Sequence, residues 1–352
     1  MTFDDLATCS ASWLDGSGLR ASLVISSRVR LARNLSQKPF TNRATIEDKQ
    51  AIIASVVAAA SASTFGDLAY FDTSALDELQ RQLLVERHLI SPALAKEKGP
   101  RGVLVEDTEA ASVMINEEDH LRIQVIQSGL QPVEAFQTAH ALERDLAGGL
   151  DFAVSKRWGF LTACATNTGT GLRASTLIHL PGLALTKEME GVVRGVAQLG
   201  FAVRGIYGEG TDSAGNLCQI SNQLTLGRFE ETLLEGLNRV VGQVVECEMY
   251  ARETLLREAR DQIEDKVWRA FGIMQRARLL TSQELMNFSS AIRLGIDLEM
   301  LSGLETGTIN DIMVNTQPSH LQYRAGKPLD AAERDILRAS VVRERLGRQE
   351  LN

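Results

Sequence analysis

The sequence is short of proline, with 7 in 352 residues, and of aromatic side chains, which make up 5%. With 44% apolar and 23% charged residues beside them, these values argue against a fibrous or disordered chain and for an ordinary globular one. The four cysteines, Cys9, Cys164, Cys218 and Cys247, are scattered, with no CxxC pair and no histidines at zinc spacing. Free thiols in a reducing cytoplasm are therefore expected, not a disulfide framework or a zinc site. No apolar run approaches the ~18 residues that span a bilayer, and the acidic start MTFDDLATCS lacks the basic flank of a leader. A soluble protein without export or membrane anchor is expected. Positive charge is in deficit: the formal net charge of -8 argues against non-specific nucleic-acid binding, which needs a basic surface to displace counterions. Also missing is a GxxxxGKS/T loop, so phosphates would have to be held some other way.

The length suggests about two domains at ~150 residues each. From Leu23 to about Met249, β-like runs (LVI at 23, ASVMI at 111, LRIQVI at 121, RWGFLTACA at 157, FAVRGIYG at 201) alternate with helical segments. The helical segments are Ile46 to Ser63, Val133 to Leu146 and Leu183 to Leu199. From Phe229 onward the β signal stops, and Leu233, Leu237, Val240, Val244 and Val245 recur at helical spacing. The expected architecture is an α+β domain at 22–252 after a short N-terminal segment, 1–21, with an all-helical domain at 253–352. A single helix is able to run across the second boundary.

Arginine, glutamate and glycine concentrate in SSRVRLARN (26–34), NEEDHLR (116–122), CATNTGTGLRAS (164–175) and RGIYGEGTDSAGN (204–216), each beside an expected strand. Loops next to strands are where a rigid scaffold presents functional groups. Arg28 and Arg30 alternate along an extended run, so both face the same way and can hold one polyanion; a basic strand edge that discourages pairing is the competing reading. Arginine suits phosphate because its planar fork donates two parallel hydrogen bonds and stays charged. The stretch Gly169 to Ala174 superficially matches a dinucleotide fingerprint opening a helix, but no βαβ unit surrounds it.

Together these four segments resemble those of the phosphagen (guanidino) kinases, most closely the protein arginine kinases of the McsB family. The resemblance covers about residues 22–250 and implies a guanidino kinase catalytic domain, an antiparallel sheet flanked by helices. It implies that Arg28, Arg30, Arg122, Arg173 and Arg204 surround the phosphates of ATP, with Mg²⁺ bridging phosphate oxygens and no protein metal ligand assigned. Ser26, Ser27, Val29, His88, Ala174, Ser175, Thr176, Leu177, Gly205, Ile206, Tyr207 and Gly208 complete the nucleotide site that it implies. Glu118 and Glu209 match the carboxylates that grip the acceptor guanidinium, Glu209 also lying within the nucleotide segment. A guanidinium has a pKa above ~12 and is a poor nucleophile, so two carboxylates must orient it and steer its proton. Cys164 matches a reactive cysteine, with Thr166 a candidate partner for its sulfur. Assistance in substrate placement is favoured over covalent catalysis, and a buried structural thiol is the alternative.

Departures from the family pattern bear on the acceptor. Ala165 replaces a turn-stiffening proline, an expected loosening of the cysteine loop. Leu177 stands where metazoan phosphagen kinases carry histidine, and Tyr207 where they carry arginine. The SSRVR motif begins at Ser26, leaving no room for the N-terminal helical domain that closes over small substrates, which favours arginine on a protein surface. In the C-terminal part, Arg334, Asp335, Arg338 and Ala339 match the RDxxRA motif of protein arginine kinases. The resemblance makes that motif an allosteric phosphoarginine pocket, with Arg334 and Arg338 four apart on one helix face. The expected activity is thus an ATP-dependent protein-arginine phosphotransferase, cytoplasmic and dimeric, tied to stress response and regulated proteolysis. Implied partners are arginine-bearing proteins, a Clp-type AAA+ protease chaperone, a heat-shock repressor and a zinc-containing activator. The alternatives are a kinase for free arginine or another small guanidino compound, and a catalytically weak phosphoarginine-binding adaptor.

Overall fold

The structure is a computed structural model that describes residues 1–205 and 214–347. Its centre is an eight-stranded sheet whose ladders are all antiparallel. The strands are β1 (Val24–Arg33), β2 (Leu68–Asp72), β3 (Gly102–Glu106), β4 (Ala111–Ile115), β5 (Leu121–Ser128), β8 (Leu172–His179), β9 (Phe201–Gly205) and β10 (Leu217–Asn222). A separate small hairpin is formed by β6 (Val154–Ser155) and β7 (Gly159–Phe160). The spatial order is β2-β3-β4-β5-β1-β8-β10-β9, so β1 lies inside the sheet between β5 and β8. That position removes the edge-strand reading of Arg28 and Arg30.

One sheet face is apolar. Val29, Leu31, Ile123, Val125, Leu172, Ala174 and Ile178 alternate with polar neighbours and form a single core with three long helices, α2 (Ile46–Ser61), α5 (Pro132–Ala147) and α8 (Glu230–Glu258). Thr45 caps α2 reciprocally with Asp48, a capping box that satisfies two otherwise orphaned amides. The second face is roofed by shorter pieces: α1 (Phe3–Thr8), α3 (Glu78–Glu86) and α4 (Pro92–Lys96) pack over Val103, Val105 and Met114.

The expected helix from Leu183 to Leu199 is two helices, α6 (Pro181–Leu185) and α7 (Met189–Gln198), separated where Lys187 takes φ 62°. The expected strand at 157–165 shrinks to β7, and the run after Gly171 is strand β8, not a helix. Two glycines explain that segment. Gly169 (φ 114°) and Gly171 (φ 63°) sit in the left-handed half of backbone space, and a Cβ on Gly171 would stand 2.6 Å from the Ala32 carbonyl oxygen. They allow the chain to turn tightly against β1, which is a packing role.

The C-terminal part is helical: α9 (Arg260–Arg276), α10 (Ser282–Asp297), α11 (Thr306–Asn315), α12 (Pro318–Ala325) and α13 (Ala331–Gly347). Most of its buried side chains form a second core from Ile263 to Leu346. Helix α8 runs through the expected boundary at 252/253 and ends at Glu258, and its buried residues up to Ala251 belong to the sheet's core. A third cluster joins the parts: Trp13 and Leu14 of the N-terminal segment pack with Ile25, Ile126 and Leu217 of the sheet and with Met286 and Met313 of α10 and α11.

Candidate active site

Ladder register decides which side chains share a face, because residues directly opposite in an antiparallel pair point the same way. Arg28 is opposite Ile126 and Ser175, Arg30 opposite Gln124 and Arg173, and Ala32 opposite Arg122. Ser175 continues to Ser221, and Leu177 through Gln219 to Arg204. Arg28, Arg30, Arg122, Arg173 and Arg204, drawn from β1, β5, β8 and β9, therefore line the one face that the long helices leave uncovered. Ser26, Ser175 and Leu177 share it.

The remaining nucleotide-segment residues divide differently. Ser27, Val29, Ala174 and Thr176 lie on the opposite face, where Val29 and Ala174 are core residues. Ser27 Oγ donates to the Gly129 carbonyl at 2.8 Å and accepts from the Gln131 amide at 2.9 Å. Their side chains hold the sheet together; they do not line the cage. Gly205 closes β9 beside Arg204. Ile206, Tyr207, Gly208 and Glu209 lie outside the described residues.

Two arginines of the cage, Arg28 and Arg30, are strongly perturbed by their surroundings. Burial, then the neighbouring Arg173 and Arg122, pull the Arg28 pKa down to about 10. Arg30 is pushed well below its usual range, first by burial, then by Arg28, Arg122 and Arg173. Its Nε is buried without a hydrogen-bond partner among the described residues. Like charges gathered away from water cost free energy unless an anion compensates them. A polyphosphate meets that need, since each guanidinium presents paired donors to phosphate oxygens.

At one end of the cage stands the NEEDH loop, where each residue has a distinct task. Asn116 (φ 59°) donates to the carbonyls of Lys49 at 2.9 Å and Pro100 at 3.2 Å. Glu117 takes the Arg122 Nη1 at 2.9 Å and the Ser91 hydroxyl at 2.6 Å. Glu118, 43% exposed, takes only longer contacts, from Arg122 Nη2 at 3.3 Å and Asn167 Nδ2 at 3.5 Å. Its carboxylate is thus oriented but open to a further cation. Asp119 accepts from Asn34 Nδ2 and the Ala163 amide, both at 2.7 Å. His120 Nδ1 accepts from the Leu35 amide at 3.0 Å.

Asp119 leads to the cysteine loop. Cys164 Sγ lies 3.0 Å from Thr166 Oγ1, as the spacing suggested. The loosening expected from Ala165 is countered by side chains: Thr162 Oγ1 donates to the Cys164 carbonyl at 2.7 Å, and Thr225 Oγ1 lies 2.8 Å from the carbonyl oxygens of both Thr166 and Thr168. Asn167 bridges this loop to Glu118. Glu118 and Cys164 are therefore neighbours, brought together from two motifs.

At the other end, His88 ends the turn after α3 with φ 61°. It is partly buried, its ring 5.6 Å from that of Trp13 in an edge arrangement. Burial first and Arg28 second lower its pKa to about 4, so the ring is neutral at ordinary pH. A cavity of about 330 Å³ runs from Arg28 and Arg30 past His88 to Trp13 and on to the C-terminal helices. Trp13, Glu117, Asp119 and Thr225 escaped the sequence reading. Of these, the two acids carried a usable signal, their place beside Glu118 in NEEDH.

The RDILRA segment lies on α13, away from the cage. Arg334 is partly exposed, its Nη1 3.5 Å from the Leu329 carbonyl oxygen. Arg338 is 1% exposed; its Nε donates to the Thr316 carbonyl at 3.1 Å and its Nη1 to the Leu280 carbonyl at 2.8 Å and to Asp335. Ala339 is buried in the second core. The two arginines of the expected pair therefore differ in setting: Arg338 braces α13 against the starts of α10 and α12, because a buried guanidinium must find acceptors, while Arg334 is partly exposed.

Residues 50–251 match the family model described as ATP:guanido phosphotransferase, C-terminal catalytic domain. Residues 260–352 match the protein-arginine kinase McsB C-terminal domain. The chain is 45% identical over 347 residues to a protein-arginine kinase of Halothermothrix orenii, covering 98% of this chain and 99% of that one. It is likewise 45% identical to one from Moorella thermoacetica, covering 96% and 97%, and 43% identical to one from Bacillus cereus, covering 95% of each. Among solved structures, a taurocyamine kinase of Schistosoma mansoni with bound transition-state-analogue components superposes with a TM-score of 0.59 at 24% identity, over 68% of this chain and 36% of that one. Lombricine kinase gives 0.58 at 24%, over 68% and 71%.

Proposed function

The chain belongs to the ATP:guanido phosphotransferase family, with a protein-arginine kinase C-terminal domain, and on that premise we propose that it transfers the γ-phosphate of ATP to arginine side chains of proteins. The observation that carries this reading is the gathering of five arginines on one sheet face with Glu118 and Cys164 at its end.

ATP supplies the phosphoryl group. Arg28, Arg30, Arg122, Arg173 and Arg204 hold the phosphates and offset the charge that develops in transfer, the main contribution in this chemistry. Magnesium arrives with the phosphates, and no protein ligand is assigned to it. Glu118, together with Glu209, orients the acceptor guanidinium and receives its proton as nitrogen attacks phosphorus. Glu117 neutralises one side of Arg122 and fixes where its other nitrogen meets Glu118. Cys164 assists placement of the acceptor without forming a bond to phosphorus.

The working division is an N-terminal segment, a catalytic domain ending with α8, and a helical domain beginning near Ala259. The helical domain serves dimer formation, and the Arg334 side of α13 serves recognition of phosphoarginine. The same kinship supports a cytoplasmic role in stress response, marking proteins for a Clp-type protease.

Incubation with ATP and an arginine-rich protein is expected to yield acid-labile phosphoarginine, lost in Glu118→Gln and in Glu209→Ala. If none forms with the unaltered protein, or if both variants still form it, the reading is wrong.

A further inference from the structure

The cage has a direction. Glu118, bonded to Arg122, marks the acceptor end, and along β1 the cage then passes Arg30 and Arg28 to Ser26, which is opposite Leu177. A triphosphate whose terminal group lies by Glu118 must extend the other way, so its nucleoside is carried past Arg28 toward Ser26, Leu177 and Trp13. The cavity continues in that direction, and there its far wall is not part of the catalytic sheet. It is built by Met286 of α10, by Asn310 and Met313 of α11, and by Gln317 at the start of α12.

This wall is fixed in place. Asn310 Nδ2 donates to the Leu14 carbonyl at 3.0 Å, and Ser10 Oγ to Asp311 at 2.8 Å. Arg293, buried in α10, donates to the carbonyls of Ala21 at 3.2 Å and Ser22 at 3.1 Å. Buried polar contacts of this kind favour one arrangement of the two parts. The volume of about 330 Å³ falls in the ~300–1,000 Å³ range of small-ligand sites, which are mostly apolar with a few polar groups. Two methionines facing an indole suit a flat heteroaromatic ring, since thioethers are adaptable and polarisable partners of aromatic systems.

We infer that the helical C-terminal domain forms the base-binding wall of the nucleotide site, with Met313 and Met286 seating the purine against the Trp13 side. The inference rests on the proposed ATP reaction and extends it. Nucleotide affinity and base preference belong to both domains, and occupancy of the site ties α10 and α11 to the sheet.

The test uses the full chain and two probes, ATP and inorganic tripolyphosphate, with affinities measured by calorimetry. Met313→Trp fills the wall. It is expected to weaken ATP roughly tenfold, the equivalent of ~1.4 kcal/mol, while tripolyphosphate, which engages only the arginines, stays within about twofold. Met313→Ala, which removes bulk where Met313→Trp adds it, is expected to weaken ATP and narrow the preference for ATP over CTP, and a urea midpoint for each variant reads its folding separately. ATP affinity unchanged in both variants would overturn the inference, as would equal losses for ATP and tripolyphosphate. Failure of tripolyphosphate to bind the unaltered protein would instead remove the cage reading, and this inference with it.

Discussion

Arg30 of β1 lies directly opposite Arg173 of β8 in the antiparallel ladder, two guanidinium side chains on the same sheet face. Like charges directly opposite one another destabilise a sheet, so the arrangement favours the protein's state with an anion bound. Replacing Arg30 with methionine should keep the fold, because the stem atoms are preserved, and should abolish the thermal shift that ATP produces. The rate should drop on the order of 10³-fold, as for other arginines that stabilise a transferring phosphoryl group. Differential scanning fluorimetry with and without ATP checks the first point; an undiminished ATP-induced shift in Arg30→Met contradicts the cage.

Glu118 and Glu117 are neighbours with separate duties. Glu118 is expected to act on the acceptor, so Glu118→Gln should lower kcat by roughly 10²–10⁴-fold with ATP affinity nearly intact. Glu117→Gln instead frees Arg122 from its shorter ion pair (2.9 Å, against 3.3 Å to Glu118) and should change the affinity for ATP as well. Parallel calorimetry and phosphoarginine assays separate the two; identical profiles for both variants contradict the division.

His88 sets a pH dependence. Its pKa falls from 6.5 to about 4 in the folded protein, so between these values the unfolded chain binds more protons. Stability is fully present above about pH 6.5 and declines as pH falls toward 4, by up to about 3 kcal/mol from this group, at ~1.4 kcal/mol per unit. His179 and His120 are shifted in the same direction by burial, so the informative quantity is the difference between variants. His88→Asn, which tolerates the left-handed backbone, should flatten the profile of urea midpoint against pH over 4.5–7. A slope as steep as that of the unaltered protein rules His88 out as a source.

Cys164 and Thr225 test placement against covalency. Thr225→Val removes the hydroxyl that the carbonyls of Thr166 and Thr168 share. It should cost about 1 kcal/mol of stability and raise KM for the protein acceptor without altering ATP affinity. Cys164→Ser should retain activity within roughly tenfold to a hundredfold, since no step passes through its sulfur. Complete loss in a folded Cys164→Ser would establish an obligatory thiol.

Arg338 is a brace, and its removal should show in stability first. Arg338→Ala leaves two buried carbonyls without their donor and should cost roughly 2–4 kcal/mol, read as a lowered melting temperature. Arg334→Ala, at a partly exposed position, should leave melting almost unchanged. Equal effects of the two on melting would show that the asymmetry seen on α13 is wrong.

Some of this was legible because it is local. The alternation of Arg28 and Arg30 and the period of Leu233 to Val245 each arise within a few residues of chain. The helix read across Leu183 to Leu199 failed at Lys187, where a left-handed residue leaves the period of apolar residues undisturbed. The strand read at 157–165 failed because its apolar residues serve a hairpin and a loop pinned by Asp119 and Thr225, partners far away in sequence.

The sequence by itself determined the chemistry: which side chains can hold phosphate, which can hold a guanidinium, and the kinship of the segments that carry them. Residue type and short-range spacing suffice for that. Tertiary structure alone decided that β1 lies inside the sheet, which turns Arg28 and Arg30 from an edge into the floor of a cage. It decided that Arg338 is a brace and that α10 and α11 wall the cavity beside Trp13. Each of these depends on pairing and packing between residues distant in the chain, settled by which apolar faces must be buried together.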